Sequence, residues 1–553
     1  MRDTPGRFRC YPCTPWQQTW LVTLVFVVLT LAMTWPHVLT YATRAHGHYD
    51  TYFNMWRVQW IAHALATDPS KVIDGNIFFP ERRTLTYSDA MLVEGVVAAV
   101  PIWVGLPPVL INNLLMLAAI VSSAAGLFVL ARHLTGSAAA GMVAATAFAF
   151  VPYRFEHYMH MELQWTTWIP WTIWALHRTF ETRAWKYGVA TGLFLGLQML
   201  SSIYYGVFLA MLLAVITVLL LLPHVRDRQT LVNEILPPLL MAPVVAFVIC
   251  LPYAEPYLET KKEVKGRDEA EIRAFSAVPR SYLHATPDNV LYGKATRQSR
   301  HERRLFPGLI ITVLAIAGLF RRERSPILIA YVVALVAAFE MSLGLSGYSY
   351  TFLYEHVSAF RGFRALARLG IFVIFFIALL GAYGYAELLS GARKLTQGVV
   401  LTVVVVLMLG EYRVQGLPLA EYPNAPPPLY AWLAQQPRGV VAELPMPVLD
   451  AWPGDDPQVS YMSVFHWQPL VNGYSGYMPQ SYANRLEVVR QFPTDESLAL
   501  LRHDRVRYLV LHLRRYRPAE AASAMAFLTQ RHGLPELGRF SDGEGEAVVF
   551  GLR

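Results

Sequence analysis

The stretch INNLLMLAAIVSSAAGLFVL, residues 111–130, decides the fold of this chain because it contains no charged residue. About 20 such residues wound as an α-helix cross the roughly 30 Å hydrocarbon core of a bilayer. Only helices or closed barrels satisfy the backbone in that environment. Four more stretches are nearly or wholly uncharged, at Thr19–Met33, Met211–Leu222, Gly370–Leu380 and Val399–Leu409. Such continuous apolar stretches predict an α-helical polytopic membrane protein.

The composition agrees with a chain that is largely embedded in lipid. Of its 553 residues, 54% are hydrophobic and only 16% are charged, whereas soluble domains carry about 25% charged residues. The basic residues behind the net charge of +8 concentrate in short loops, so we expect a membrane surface and no nucleic acid as partner. The three cysteines provide no disulfide framework, since Cys10 and Cys13 form a lone CxxC and Cys250 lies in an apolar stretch.

The apolar stretches predict about eleven transmembrane helices. They lie approximately at residues 19–41, 109–131, 137–152, 165–180, 187–203, 205–222, 231–252, 305–320, 326–345, 367–389 and 398–416. The segment 90–106 is also apolar, but it is short and ends in a Leu-Pro-Pro break. We expect this segment to form an interfacial or re-entrant helix rather than another span.

The distribution of basic residues predicts a cytoplasmic N-terminus. With that orientation every short inner segment carries arginine or lysine, as the positive-inside rule requires. These inner residues are Arg2, Arg7, Arg9, Arg132, Arg178, Arg183, Lys186, Arg226, Arg228, Arg321, Arg322, Arg324, Arg393 and Lys394. The outer side then holds loops 42–108, 153–164, 253–304 and 346–366 together with the C-terminal tail. A catalytic or binding function should therefore face away from the cytoplasm.

The tail from residue 417 to 553 has a different character from the spans. It begins with a proline-rich segment and continues with strand-like stretches at Gly439–Leu444 and Val506–Leu511. Helical patterns lie at 480–492 and 519–531. We therefore predict a transmembrane domain over 1–416 and a small soluble extracytoplasmic α/β domain over 417–553.

The first outer loop contains the segment HGHYDTYFNMWRVQWIAHAL, residues 46–65. Asp50 follows the first span and could cap the helix that begins there, and a capping carboxylate can also point into a cleft. Trp56 and Trp60 are four residues apart, which suits an interfacial helix lying on the membrane, since tryptophan prefers the headgroup region.

The second outer loop contains the segment VPYRFEHYMHMELQWTTWIPW, residues 151–171. Glu156, His157, His160 and Glu162 fall within seven residues. Glu156 and His160 would share one face of a helix, and a carboxylate with an imidazole at that spacing can bind a divalent metal such as Mg²⁺ or Mn²⁺. The alternative is a polar collar that hydrogen-bonds lipid headgroups. Arg154 and His157 are candidates for binding phosphate.

A third group of candidates comes from AFRGFRALARLG, residues 359–370. Arg364 and Arg368 would lie one helical turn apart, with Arg361 before them, and a guanidinium group matches phosphate oxygens well. Arginines can also snorkel at a span end, but this end is predicted to be the outer one, where the positive-inside rule disfavours arginine. Polar residues within the spans cluster toward the same side: Asn112, Asn113, Gln198, Ser201, Ser202 and Glu340. Together these residues predict an outward-open cleft.

Asp50, the inner turn ARHLTGSAAAGMVAA (residues 131–145) and the acidic and histidine-containing loop after it resemble the GT-C superfamily of membrane glycosyltransferases. The resemblance is closer to the bacterial YfhO-like membrane proteins. It implies Asp50 as catalytic base or carboxylate, a second acidic motif that binds metal or acceptor, and a polyprenyl-phosphate sugar as donor. The sequence departs from the oligosaccharyltransferase pattern, because Glu156, His157 and His160 replace a pair of aspartates and the tail has no WWD-type motif. Protein N-glycosylation is therefore not expected.

These observations predict an inverting membrane glycosyltransferase in which Asp50 is the base, Glu156 is a second candidate catalytic residue, and the arginine, histidine and glutamate residues of the outer face handle phosphate or metal. The acceptor is an unidentified glycan, lipid or protein. A lipid-linked glycan transporter is the first alternative, although it favours charges at mid-membrane and repeated halves. A polymer ligase or polymerase and a non-enzymatic cell-envelope assembly protein are the others. Weaker candidates, each explained equally well as structural residues, are Asp89, Glu94, Glu302, His466, Asn472 and Tyr474.

Overall fold

The computed structural model describes residues 16–263, 266–296, 298–320 and 325–552. The predictions for Arg2, Arg7, Arg9, Cys10, Cys13, Arg321, Arg322 and Arg324 lie outside the described residues. The chain forms two compact units. The first comprises Leu115–Tyr253, Gly266–Pro418 and the segment ending at Leu39, and the second comprises Thr40–Leu114, Ala254–Lys265 and Leu419–Arg553.

Helices dominate the chain up to residue 412. In order they are α1 (Trp16–Met33), α2 (Tyr49–Thr67), α3 (Leu92–Trp103), α4 (Pro108–Thr135), α5 (Ala138–Phe150), α6 (Pro152–Glu156), α7 (Met161–Gln164), α8 (Trp168–Thr182), α9 (Trp185–Ser201) and α10 (Ile203–Leu221). They continue as α11 (Arg228–Thr230), α12 (Leu236–Glu263), α13 (Glu269–Ala274), α14 (Gly293–Thr296), α15 (Leu309–Leu319), α16 (Pro326–Ser342), α17 (Tyr348–His356), α18 (Gly370–Leu388) and α19 (Lys394–Tyr412). Every predicted span overlaps one of these helices.

Six helical stretches among the described residues are long and apolar enough to cross a membrane. They are Pro108–Thr135, Ala138–Glu156, Ile203–His224, Arg228–Glu263, Leu366–Leu388 and Lys394–Tyr412. Shorter apolar helices lie at Gln17–Met33, Leu92–Trp103, Leu309–Leu319 and Pro326–Ser342. The protein is therefore a mostly helical membrane protein, and the number of eleven spans stays a prediction.

Helix α12 is longer than the predicted span 231–252. It continues to Glu263 through a polar segment in which Lys262 pairs with Glu259 at 2.6 Å. Helix α3 has only 12 residues, about 18 Å at 1.5 Å per residue, against a hydrocarbon core of roughly 30 Å. The interfacial or re-entrant position of segment 90–106 stays a prediction.

The tail folds around a four-stranded mixed sheet. The strands of this sheet are β3 (Val440–Leu444), β4 (Val506–His512), β5 (Glu536–Ser541) and β6 (Glu546–Gly551). A separate short pair, β1 (Arg44–His46) with β2 (Leu419–Glu421), precedes them in the chain. The order is β3-β4-β6-β5, with β3 parallel to β4 and the other pairs antiparallel. The surrounding helices are α20 (Pro428–Ala434), α21 (Asp456–Met462), α22 (Gln480–Val489), α23 (Asp495–His503) and α24 (Pro518–Ala526). Strands β3 and β4 match the two predicted strand-like stretches.

The first outer loop belongs to the same compact unit as the tail. Strands β1 and β2 pair antiparallel, with Arg44 opposite Glu421. Further along, the Phe79 amide donates to the Leu470 carbonyl at 2.8 Å, and the Leu470 amide donates to the Asn76 carbonyl at 2.7 Å. This grouping differs from the predicted division at residues 416 and 417, because backbone hydrogen bonds join the loop to the tail.

The predicted roles of two features of α2 were wrong. His48, not Asp50, is the N-cap, since its Nδ1 accepts from the Asp50 amide at 3.1 Å. Trp56 is fully buried and its indole N–H donates to Asn76 at 3.1 Å, while Trp60 is nearly buried and donates to the Val72 carbonyl at 2.9 Å. These indoles therefore pack inside their own unit instead of anchoring the helix in the headgroup region.

Candidate functional site

The second outer loop is a tight, buried turn between α5 and α8. Pro152 opens α6, where its fixed φ suits the first helical position. Arg154 is buried, and its Nε, Nη1 and Nη2 donate to the Phe148 carbonyl, the Gln164 carbonyl and the Thr166 hydroxyl at 2.7, 3.0 and 2.6 Å. These contacts occupy the guanidinium on protein acceptors, so they support a structural role for Arg154 rather than the predicted phosphate-binding one.

Three side chains from two loops meet next to α6, and we call them the His–Glu cluster: His157, His301 and Glu302. One ligand atom from each lies within 4.8 Å of the others. His157 Nε2 is 3.6 Å from Glu302 Oε2, and the His157 and His301 rings are 4.5 Å apart. The predicted ligand His160 lies beside this cluster, with its Nδ1 3.2 Å from that of His157.

Two buried ion pairs flank the His–Glu cluster. Arg304 Nη1 donates to Glu156 Oε1 at 2.5 Å, and Arg368 donates to Glu302 Oε1 through Nη2 at 2.9 Å and Nε at 3.2 Å. The Glu156 and Glu302 side chains are only 5% and 6% exposed. His301 Nε2 also lies 3.0 Å from the Glu156 carbonyl oxygen. The site therefore combines two buried carboxylates, two guanidinium groups, the buried imidazole of His157 and the partly exposed imidazole of His301.

The surroundings hold these groups in defined protonation states. Burial, aided by the neighbouring His301 and His160, lowers the pKa of His157 well below its usual range. Burial also lowers the pKa of His301, although the Glu156 carboxylate opposes this. Burial alone would raise the pKa of Glu302, but the charge and hydrogen bonds of Arg368 outweigh it and the net shift is downward. At neutral pH the imidazole of His157 is therefore neutral and the Glu302 carboxylate is ionised.

The His–Glu cluster fits a divalent metal by its donor set. Neutral imidazoles and a carboxylate are the ligands that borderline ions such as Zn²⁺ and Mn²⁺ accept, whereas Mg²⁺ prefers oxygen alone. His157 Nε2 is buried and has no hydrogen-bond partner among the described residues. The predicted ligand Glu156 instead pairs with Arg304, so its role in metal binding stays a prediction.

The three arginines of residues 359–370 have separate partners. Arg364 Nη1 donates to Glu271 at 3.0 Å, whereas Arg368 pairs with Glu302. Arg361 donates to the Tyr354 and Glu355 carbonyls at 3.1 and 3.2 Å. Helix α18 begins only at Gly370, after a 3₁₀ turn at Leu366–Leu369. The prediction that Arg364 and Arg368 share one face of an α-helix was therefore wrong, because the α-helix starts beyond them.

Asp50 lies in the second compact unit, in the first turn of α2. Its Oδ1 accepts a hydrogen bond from the Tyr474 hydroxyl at 2.7 Å, and its side chain is 15% exposed. His48 Nδ1 is 3.4 Å from Oδ2 and accepts a hydrogen bond from the Asp50 amide at 3.1 Å. The Tyr474 hydroxyl therefore helps to orient the Asp50 carboxylate.

The other weak candidates of the tail are structural. Asn472 is buried and donates to the Glu443 carbonyl and to Asp456 at 3.0 and 3.1 Å. His466 is buried and accepts from the Gln468 amide at 3.0 Å. Among the three tail candidates, only Tyr474 contacts a predicted catalytic residue.

Sequence reasoning missed His301 and Arg304. Both flank Glu302 in HERRLFPG, where only Glu302 was singled out. His301 and Arg304 contact Glu156 across 145 and 148 residues of chain. The only available signal was a histidine, an acid and two arginines in succession at the end of the third outer loop, directly before an apolar stretch.

A family model described as dolichyl-phosphate-mannose-protein mannosyltransferase matches residues 108–254. This match confirms the resemblance to the GT-C superfamily of membrane glycosyltransferases. The matched segment contains Glu156, His157 and His160 of the site, whereas Asp50, Glu302 and Arg368 lie outside it.

Among solved structures, the chain is similar to an archaeal oligosaccharyltransferase, AglB from Archaeoglobus fulgidus, in complex with an inhibitory peptide and a dolichol-phosphate. The sequence identity is 12% and the TM-score 0.49, with 93% of this chain and 71% of that chain covered. No curated protein matches the chain.

Proposed function

We propose that this chain, whose resemblance to GT-C membrane glycosyltransferases is confirmed by the match over residues 108–254, transfers a sugar from a polyprenyl-phosphate donor to an acceptor. The reaction takes place on the outer side of the bacterial cytoplasmic membrane. The observation that carries the proposal is the buried combination of the His–Glu cluster with the Arg304–Glu156 and Arg368–Glu302 pairs. Such a combination is suited to an anionic phosphate leaving group.

The arginines supply the positive charge that a departing polyprenyl phosphate needs. Arg368 is held by Glu302 and keeps N–H donors that can also bind a phosphate oxygen. Arg304 donates to Glu156 and, through Nε and Nη2, to Ser299, so it contributes mainly its positive charge. Arg364 is the more accessible cation, since its side chain is 35% exposed. Preorganised cations in a site with little water stabilise developing negative charge more than they would in solution.

The His–Glu cluster is the proposed position of a divalent metal. His157, His301 and Glu302 would hold it, and when bound it would supply further positive charge for the phosphate. Arg368 keeps the Glu302 carboxylate in place through its two hydrogen bonds. His160, at 3.2 Å from His157, would fix the orientation of that ring.

Asp50 is the proposed general base. Its carboxylate takes the proton of the acceptor hydroxyl while the acceptor oxygen forms a bond to the anomeric carbon. The bond from that carbon to the phosphate oxygen breaks, and the electron pair leaves with the polyprenyl phosphate. One such displacement inverts the anomeric centre. The Tyr474 hydrogen bond supports this role, since it orients the carboxylate.

The proposal is tested by transfer of a radiolabelled sugar from a polyprenyl-phosphate donor in membranes that contain the full chain. We expect Asp50→Asn to lower the transfer rate about 10²- to 10⁴-fold, the usual contribution of a general base. Asp68→Asn is the matched control at the opposite end of α2, where Asp68 contacts Ser70 and Lys71 on the surface. Full transfer by Asp50→Asn would exclude Asp50 as the base.

The phosphate-handling site is tested separately with Glu156→Gln and Glu302→Gln. Both should lower transfer at least tenfold, because each leaves an arginine without its carboxylate. Glu269→Gln, which removes an exposed partner of Arg273, is the control and should retain activity. If wild-type protein moves the labelled lipid across the membrane but forms no new glycosidic bond, the chain is a transporter and the proposed function is wrong.

A further inference from the structure

Aromatic rings gather around the tyrosine that orients Asp50. The Tyr474 ring lies 5.6 Å from that of Tyr49, 5.1 Å from that of Phe53 and 5.1 Å from that of Trp452, measured between centroids. Tyr49 and Phe53 belong to α2, whereas Trp452 and Tyr474 come from the tail, and all four lie in the second compact unit. The tail thus contributes two of the rings found beside the proposed base.

These rings are not an ordinary core. Tyr49 is 44% exposed, and Trp452 and Tyr474 are half-buried. An aromatic cluster whose only role was packing would bury its rings, because burial of the roughly 150–250 Å² of surface of each aromatic side chain stabilises the fold. The partial exposure leaves ring surface available to a ligand.

Trp452 carries a polar atom that lacks a protein partner. Its Nε1 is buried and has no hydrogen-bond partner among the described residues. A buried polar group without a partner is unfavourable, so it marks a place where a ligand or an ordered water completes the bonding.

The chemistry of this group matches a carbohydrate. A pyranose ring presents an apolar face of C–H groups, which packs on an aromatic ring, and a rim of hydroxyls, which bind isolated donors and acceptors. Binding sites for small molecules combine apolar and aromatic walls with a few polar groups that fix orientation. An extended peptide would instead need a row of backbone donors and acceptors, as at an open strand edge.

We propose that Tyr49, Trp452 and Tyr474 form a carbohydrate-binding subsite next to Asp50, so that the acceptor of this enzyme is a glycan. The inference rests on the proposed function, in which Asp50 is the base. A sugar packed on these rings places a hydroxyl within reach of the Asp50 carboxylate, and Trp452 Nε1 donates to a neighbouring hydroxyl.

Saturation-transfer difference NMR on the full chain in nanodiscs tests the subsite without any donor. Nanodiscs are needed because sugar-based detergents would compete for the site. The probes are methyl α-D-mannopyranoside, methyl β-D-glucopyranoside and a neutral serine-containing hexapeptide. We expect saturation transfer to the C–H protons of at least one glycoside and none to the peptide.

Variants locate the signal on the proposed residues. Trp452→Leu and Tyr49→Leu should reduce the glycoside signal at least fivefold, and Tyr49 is exposed enough for its variant to fold. Trp432→Leu is the matched control, because Trp432 is another half-buried tail tryptophan and contacts Tyr508 and Phe540 instead. The control should keep the full glycoside signal.

Three outcomes would overturn the inference: no signal from either glycoside, transfer to the peptide alone, or an unchanged signal in both the Trp452→Leu and Tyr49→Leu variants. Asp50→Asn separates the inference from the proposed function, since it should keep glycoside binding while it loses sugar transfer. Glycoside binding by a protein without transferase activity would refute the proposed function alone. Transferase activity without glycoside binding would refute the carbohydrate subsite alone.

Discussion

Arg368 and Glu302 show how much a single pair of residues contributes at this site. Their side chains are 12% and 6% exposed, and two hydrogen bonds join them. Both side chains are largely shielded from water, which therefore stabilises neither charge well. Removal of one partner leaves the charge of the other poorly compensated. Breaking a buried pair in this way typically costs about 3–5 kcal/mol, whereas replacing both partners is often close to neutral.

We therefore predict that Arg368→Met lowers the free energy of unfolding by about 3 kcal/mol. The Arg368→Met/Glu302→Gln double variant should recover most of that loss, because no buried charge remains unpaired. Thermal unfolding of the purified protein followed by tryptophan fluorescence measures both effects. Arg539→Met is the control, since Arg539 is 46% exposed in its pair with Glu536. A double variant less stable than Arg368→Met would contradict the argument.

At this scale the sequence predicted the kinds of residue in the site better than their partners. Glu156, His157 and Arg368 were recognised because acids, imidazoles and guanidinium groups are unusual beside apolar spans. His301 and Arg304 were not, because their contacts with Glu156 cross about 145 residues of chain. The cap of α2 was assigned to Asp50 because aspartate is a more common N-cap than histidine, and the histidine two residues earlier takes that role.

Three strands of the tail sheet meet at a buried polar network. His512 ends β4, and its Nδ1 lies 2.6 Å from Asp542, just after β5, while its Nε2 lies 2.8 Å from Glu443 of β3. Burial lowers the pKa of His512, but the two carboxylates outweigh it and the net shift is upward. Nearby, burial raises the pKa of Asp456 to about 7, despite hydrogen bonds from Tyr482 and Asn472.

Both shifts predict that the tail is less stable at alkaline pH. The folded pKa of His512 lies above its unfolded value of about 6.5, so its stabilisation is complete below that value and disappears as the pH rises through the folded pKa. Asp456 is also protonated more readily in the folded state. The stabilisation that its protonated form provides disappears as the pH rises through about 7. At these two groups the folded state binds more protons than the unfolded state, so their contribution to stability falls as pH rises. His466, whose pKa burial lowers to about 4, makes the opposite contribution between that value and its unfolded pKa of about 6.5.

The melting temperature of the tail, measured between pH 6 and pH 8, should therefore decrease in the wild type. Asp456→Asn should reduce the slope of the unfolding free energy against pH by up to about 1.4 kcal/mol per pH unit, which is the slope that one bound proton contributes. Asp450→Asn replaces an exposed aspartate of the same tail and should leave the slope unchanged. A wild-type tail that becomes more stable from pH 6 to pH 8 would refute the prediction.

The sequence predicted those helices and strands that a local pattern of apolar and polar residues identifies. Strands β3 and β4 consist largely of buried apolar residues between polar segments, and that pattern identified both. Helix α12 extends past the predicted span 231–252 to Glu263, because hydropathy indicates lipid contact, whereas the helix continues for as long as its backbone is hydrogen-bonded. Strand β1 has only three residues and pairs with a distant segment, so no local pattern revealed it.

For the whole molecule, the decisive prediction is the side of the membrane on which the tail lies. The positive-inside rule places the tail outside and the connector between α18 and α19 inside. Ser523 on α24 and Ser390 after α18 are both exposed, so each can carry a single cysteine without disturbing the core. They form a matched pair for measuring topology.

We predict that a membrane-impermeant maleimide labels Ser523→Cys in intact cells and leaves Ser390→Cys unlabelled, in a chain whose three native cysteines are replaced by serine. After permeabilisation both positions should react, which shows that each cysteine is accessible. Labelling of Ser390→Cys alone in intact cells would reverse the orientation and place Asp50 and the His–Glu cluster on the cytoplasmic side.

At this scale the sequence indicated a helical membrane protein with outer loops but not how the chain divides. Charge and hydropathy report on the surroundings of each segment, and they assigned loop 42–108 to the spans because it lies between them. Backbone pairing between Arg44–His46 and Leu419–Glu421 joins that loop to the tail instead. Such long-range pairing leaves no periodic signal in either segment.

That strand pair also orders the events of biosynthesis. Arg44 leaves the ribosome 377 residues before its partner Glu421, and Asp50 precedes Tyr474 by 424 residues. The first loop can therefore complete this strand pair only after the chain has been synthesised as far as Glu421. A polypeptide that ends before Tyr474 would carry Asp50 without this hydrogen-bond donor, so translation must pass residue 474 before the proposed site can be assembled.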